Sequence, residues 1–259
     1  MRQAPASPVR PAAWRNVCRR QPRLTRARPL LEFNYPVSQL MKRSAIHAPA
    51  GRQLRSLETR AAILAAAGRV FARAGLAGAR TDAIAAAAGV NKALLYYYFE
   101  SKESLYEAVV EDHFCEFNRR AMEVLTAPEP ARAVLLRYVG LHFDFISARH
   151  QSAPLFQQLM MTGGTFLERL IRKYFAPRGE ALGRLIERGM RRGEFRRADP
   201  FHTAFSIVSL IVFYFSAARV LQLMGRPDAY SAVHLKRRKQ EVLGFIRRGL
   251  FVDPDAPLP

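Results

Sequence analysis

The stretch from Thr81 to Leu105, TDAIAAAAGVNKALLYYYFESKESL, constrains the fold more than any other part of this chain. It reads as two short helices separated by a tight turn at Gly89 and Val90. Thr81 suits an N-cap, and Asp82 suits the first turn, where a carboxylate meets the positive end of the helix dipole. Ile84, Ala85 and Ala88 form a narrow apolar stripe whose small side chains let a second helix cross closely. Gly89 can take the left-handed conformation that turns the chain back. Asn91 then caps a second helix whose first residue is Lys92. A cation at that end opposes the dipole, so the position predicts an outside anion such as a phosphate.

Four aromatic residues come next in a row, Tyr96 to Phe99. At about 100° per residue they sweep most of a helix circumference and cannot all face one core. Tyr96 and Phe99 are expected inside. An exposed tyrosine packs its ring on protein while its hydroxyl reaches a phosphate oxygen. Ser101 is predicted to cap a third helix with Lys102 in its first turn. Thr81 and Ser101 would serve as caps without any DNA, and Lys102 alone could be a solvated lysine, although its place at a helix start argues against that, so the joint pattern carries the inference.

Residues from about Thr59 to Leu105 resemble the DNA-binding domain of the tetracycline-repressor-type (TetR) family. The likeness is carried by TRAAILAAAGRVFARAG from Thr59, then Thr81, Ile84, Ala85, Ala88 to Val90, Lys92, Leu95, Tyr96, Tyr98, Phe99, Ser101, Lys102 and Leu105. So many matches at fixed spacing, over about 47 residues, are specific in a way that one short motif is not. The resemblance implies that Thr81, Tyr98 and Lys102 touch phosphates of double-stranded DNA. It also implies that the helix carrying Lys92, Ala93, Leu94 and Tyr97 enters the major groove, with the helix starts at Asn91 and Ser101 beside it. Ala93 and Leu94 stand where the family usually has a glycine and a small polar residue, which predicts that the bases read are this protein's own.

A net charge of +20 fits an anionic partner, but its distribution matters. Up to Arg55 there are twelve Lys or Arg against Glu32 alone, a net of +11; from Ser56 to Val110 the net is +1. The motif, not the bulk charge, points to DNA. Residues 1–52 carry seven prolines from Pro5 to Pro49 and read as a disordered basic arm. Two other readings stay open: a start codon placed too early, with translation beginning at Met41, or a targeting segment, which would lack a signal-peptide apolar core. Cys18 and Cys115 stand far apart without metal-ligand spacing, which fits a reducing cytosol and a cytoplasmic protein. His113 and Cys115, two apart on a helix, point different ways. No metal and no cofactor are expected.

Residues 53–108 are predicted to form a three-helix helix-turn-helix domain. Its first helix, capped by Ser56 and ended by Gly75, turns Ile63, Leu64, Ala67, Val70 and Phe71 toward the other two. The helix opened by Ser101 continues to about Val124, before Pro128 and Pro130, and is the natural mechanical link to the rest of the chain. Residues 109–252 read as helix throughout, so the fold class is all-α: a helix-turn-helix domain joined to a larger helical domain. Leu135, Val139, Phe143 and Ile146 share one helix face; Pro154 to Met161 is short and apolar; Thr165 to Arg192 is helical with a kink near Pro177, and Gly193 ends it. Phe201 to Ala218 has no residue charged at neutral pH and approaches a membrane span in length. Its serines and histidine favour a helix buried between its own domain and a second subunit, with no membrane partner. The last helix has an apolar side from Leu235 to Phe251 and a solvated basic patch at Lys236 to Lys239. Residues 253–259 read as a tail.

The resemblance implies a homodimer joined through the last two helices and a body that encloses a small-molecule effector pocket. Candidate lining residues are Phe143, Phe156, Met160, Met161, Phe166, Tyr174 and Phe213, each also readable as plain core. The expected function is a transcriptional regulator, most often a repressor, released from a palindromic operator by its effector. A basic DNA-packaging protein indifferent to sequence is the alternative, with binding dominated by counterion release. An enzyme is disfavoured, because the chain lacks GxSxG, GxGxxG, a phosphate loop and HExxH.

Overall fold

A computed structural model describes residues 48–150, 153–226 and 228–256, so the arm up to residue 47 and Cys18 lie outside the described residues. The chain divides into two compact units, 1–55 and 56–259, and the second holds nearly all of the described residues. Among the described residues all regular structure is helical, apart from one antiparallel bridge between Phe195 and Phe251.

Helix α1 spans Ala48–Gly78, and its backbone leaves helical geometry at Gly75, where φ is 65°. A residue with a Cβ is strained there, which is why glycine marks the break. Ser56 lies inside α1 and is not its cap, a correction to the sequence reading; its Oγ instead accepts the Tyr98 hydroxyl at 3.0 Å. Ile63, Ala67 and Phe71 are buried against α2 (Thr81–Ala88), α3 (Lys92–Phe99) and the start of α4 (Lys102–Leu125). The segment Leu54–Gly78 is long and apolar enough to cross a membrane by length and composition alone; α9 (Pro200–Ser216), singled out from the sequence, is shorter.

The body contains α5 (Ala131–Ser147), α6 (Ala153–Thr162), α7 (Gly164–Leu170), α8 (Ala176–Arg191), α9, α10 (Ala218–Leu223) and α11 (Ala232–Leu250). The kink expected near Pro177 is a π turn over Ile171–Phe175. Proline has no N–H to offer the carbonyl of Lys173, and the Ala176 N–H reaches back five residues to Ile171. Phe195 stacks on Phe251 at 5.3 Å and lies where a Cβ on Gly189 would sit, 2.2 Å from the ring. Glu194 accepts the Arg132 N–H at 2.9 Å, supplying an anion to the start of α5 that Pro130 cannot cap.

Two hydrophobic clusters result. One joins α1, α2 and α3 to Leu105, Val110 and Phe114 of α4 and then to Leu159, Phe166, Leu170 and Tyr174. The other holds Phe117, Ala121 and Leu125 of α4 with α5, α8, α9 and α11. Helix α4 therefore belongs to both, and the first cluster continues past residue 108. On α9, Ala204, Ile207, Ile211 and Phe215 are buried while Phe201, Phe205 and Phe213 are at least 66% exposed. The basic patch on α11 is only half solvated: Lys236 and Arg237 are exposed, but Lys239 pairs with Asp144 at 2.6 Å and Arg238 donates to the Leu210 carbonyl at 3.0 Å. Cys115 is half-buried on α4.

Candidate nucleic-acid interface

Backbone rules build the turn between α2 and α3. Gly89 adopts φ 67° and ψ 30°, and the N–H groups of Gly89 and Val90 return to Ala86 and Ala85 at 3.2 and 3.0 Å. Such a left-handed closing residue satisfies the last carbonyls of α2. Asn91 Oδ1 accepts the Leu94 N–H at 2.7 Å and caps α3 as predicted. Ser101 Oγ likewise accepts the Ser104 N–H at 3.0 Å at the start of α4. Thr81 is the first helical residue of α2, not its cap; Arg80 holds the cap position with no side-chain bond.

Helix α3 buries Leu95 and Phe99 and leaves Lys92, Ala93 and Tyr97 outside, with Leu94 between. Tyr97 is 79% exposed, a large apolar surface in water that an isolated domain gains nothing by presenting. Tyr96, expected inside, is also exposed, and its hydroxyl donates to Thr81 Oγ1 at 3.4 Å. Accepting that bond leaves the threonine O–H free to donate outward. Tyr98 is half-buried, and its single proton is given to Ser56.

The cations are also engaged. Lys92 Nζ meets Asp82 Oδ1 at 2.9 Å, so the anion at this helix start is supplied by α2, which the sequence reading did not foresee. Both groups are more than half exposed, and such a pair holds weakly in water. Lys102 Nζ donates to the carbonyls of Ala77 and Ala79, both at 3.3 Å, which ties the end of α1 to the start of α4. An ammonium has three donors, so one remains. Ala79, Arg80, Thr81, Asp82, Tyr96 and Lys102 surround one shallow depression. Exposed Arg80 was not singled out from the sequence; its place directly before the α2 start was the available clue. The arrangement presents hydroxyl, guanidinium and ammonium donors beside the exposed face of a short helix, the disposition that fits phosphates flanking a groove.

Two family descriptions match this chain: bacterial regulatory proteins of the tetR family over residues 63–109, and a tetracyclin repressor-like C-terminal domain over residues 130–246. The chain belongs to the TetR family. Its curated relatives include the HTH-type transcriptional repressor NicS of Pseudomonas putida, 33% identical over 200 residues, 73% of this chain and 88% of that one. The regulator RutR of Escherichia coli is 31% identical over 153 residues, 56% of this chain and 68% of its own length. Among solved structures, a putative transcriptional regulator from Saccharomonospora viridis in complex with choline shares the fold at a TM-score of 0.62 and 22% identity, covering 75% of this chain and 98% of the other. This member of the family is a helix-turn-helix DNA-binding regulator, and its relatives are regulators, not enzymes.

The seven effector-lining candidates do not gather at one place. Phe143 is buried against Phe215 in the second cluster, while Phe166 and Tyr174 are buried in the first. Phe156 is half-buried there, beside His113 and Phe114 at 4.4 and 5.2 Å. Met160, Met161 and Phe213 are exposed, at 43%, 87% and 72%.

Proposed function

We propose that this TetR protein acts in the cytoplasm as a homodimeric transcriptional repressor released from a palindromic operator by a small molecule. In this reading Ala93, Leu94 and Tyr97 read bases, while Thr81, Tyr98, Lys102 and the helix starts at Asn91 and Ser101 meet phosphates. The observation that carries it is the exposed α3 face, with Tyr97 at its centre and donors on either side. Contact with phosphate requires Tyr98 to exchange its bond to Ser56, since a phosphate oxygen only accepts.

Dimerisation is supported by the phenylalanines that α9 leaves in water and by exposed Phe245 on α11. One short reading helix covers only a few base pairs, so specificity needs a second copy related by a dyad. Small-molecule release is supported by the choline complex of a protein with the same fold. Within the candidate set, Phe156, Phe166 and Tyr174 share a cluster with the reading helices, and ligand pressure there would reach α3 most directly. The test is selection of bound DNA from a random pool by the purified full chain. A palindrome held by two protomers is expected; a single asymmetric half-site held by one protomer at full affinity overturns the reading.

A further inference from the structure

Deep in the second cluster, between α4, α5 and α8, sits a set of buried polar groups away from the helix-turn-helix. Arg178 is only 6% exposed, with its guanidinium over the rings of Phe117 and Phe175 at 4.8 and 5.1 Å. Its Nη1 has no hydrogen-bond partner, and among the described residues no carboxylate pairs with it. Guanidinium stays charged in proteins, and removing a charge from water costs several kcal/mol unless an opposite charge meets it. Cation–π contact with two rings offsets only part of that.

Two more orphaned groups lie beside it. Tyr138 and His142, one turn apart on the same face of α5, are 0% and 4% exposed. The Tyr138 phenol oxygen faces the Arg178 guanidinium, too loosely aligned for a full hydrogen bond, its own proton has no acceptor, and His142 Nδ1 has no partner. Burial first, and then the charge of Arg178, hold the His142 imidazole down to a pKa of about 3, so it is neutral and keeps one N–H. Phe117 closes the group, its ring 4.5 Å from that of His142. Guanidinium and phenol O–H are donors, and the imidazole joins them in the tautomer with its proton on Nδ1; one set of acceptors then satisfies all three, the two oxygens of a carboxylate, which take charge-assisted bonds in a fork. The flanking rings favour a flat body behind those oxygens.

Resting on the reading of this chain as an effector-responsive regulator, we propose that Arg178, Tyr138 and His142 bind a small planar carboxylate and that the effector belongs to this class. The seat adjoins the linking helix at Phe117, three residues beyond Phe114 of the reading-head cluster, so occupancy acts on α4 where the two cores meet.

The experiment is calorimetric titration of the full chain with benzoate, cinnamate and indole-3-carboxylate, each beside its primary amide. At least one acid is expected to bind more than about tenfold tighter than its amide, the scale of one charge-assisted hydrogen bond. Arg178→Met is expected to abolish that preference. Tyr138→Phe, which removes a donor and keeps the ring, is expected to lower the acid's affinity about fivefold and the amide's by less, since the bond to a charged oxygen is the stronger, and it carries the test should Arg178→Met not fold. Acids no tighter than amides throughout the panel, or a preference that survives both substitutions, overturn the site. Carboxylate binding that leaves DNA affinity unchanged keeps the site and overturns release as the function.

Discussion

Within the reading head, single side chains have separable duties. Lys102 is tied to two carbonyls with one donor left, whereas Tyr97 is 79% exposed, with its ring edge-to-face against Tyr98. Lys102→Ala should therefore weaken binding to all sequences alike and lower the salt slope by roughly one, while Tyr97→Ala should relax discrimination at one or two base pairs. Titrations at several salt concentrations with cognate and mismatched DNA check both; a changed base preference in Lys102→Ala with an unchanged slope would exchange the roles. Buried histidines predict a pH response. His142 has a folded pKa of about 3 against an ordinary value of about 6.5. Below the higher value the unfolded chain takes up a proton that the folded chain refuses. Stability from this group is whole above that pH and is lost as pH falls toward 3, with a slope approaching about 1.4 kcal/mol per unit. Urea denaturation between pH 7 and pH 4 should show a shallower decline in His142→Phe than in the parent protein.

At the level of the element, local rules were legible and pairings across space were not. Asn91, Ser101 and Gly89 act through bonds three to five residues long, so their sequence context announces them. Ser56 reads as a cap for the same reason, yet its hydroxyl serves Tyr98, forty-two residues on. Asp82, the partner of Lys92, lies on the other helix of the pair and appears only once the turn is folded. The trio on α5 and α8 is equally silent in sequence, since nothing in the spacing of Tyr138, His142 and Arg178 joins them. Helix α9 was legible as apolar all round, and the structure adds which side remains open. That open side yields a prediction: Phe205→Glu with Phe213→Glu places two charges on surface exposed in the single chain, at little cost to the fold, but inside the proposed dimer. Sedimentation should show monomers of native helicity whose DNA affinity has collapsed; retained dimers would move the interface elsewhere.

At the scale of the whole molecule, the proposed function requires the helical body to govern the head that binds DNA. Helix α4 is shared by both hydrophobic clusters, Leu105 to Phe114 in one and Phe117 to Leu125 in the other, so a displacement of either end is felt in both. A ligand moves this equilibrium only by preferring one arrangement of the heads over the other. Coupling of ordinary size, about 1–3 kcal/mol, lowers operator affinity by about 5- to 150-fold. Thermodynamic linkage then requires that operator DNA weaken effector binding by the same factor. The decisive measurement is the pair of titrations on one preparation of the full chain: operator affinity with and without saturating effector, and effector affinity with and without saturating operator. Equal factors within error, both lost in Arg178→Met while its bare operator affinity persists, are the predicted result. Unequal factors, or an effector that competes directly for the Lys92 to Tyr98 face, would contradict the account.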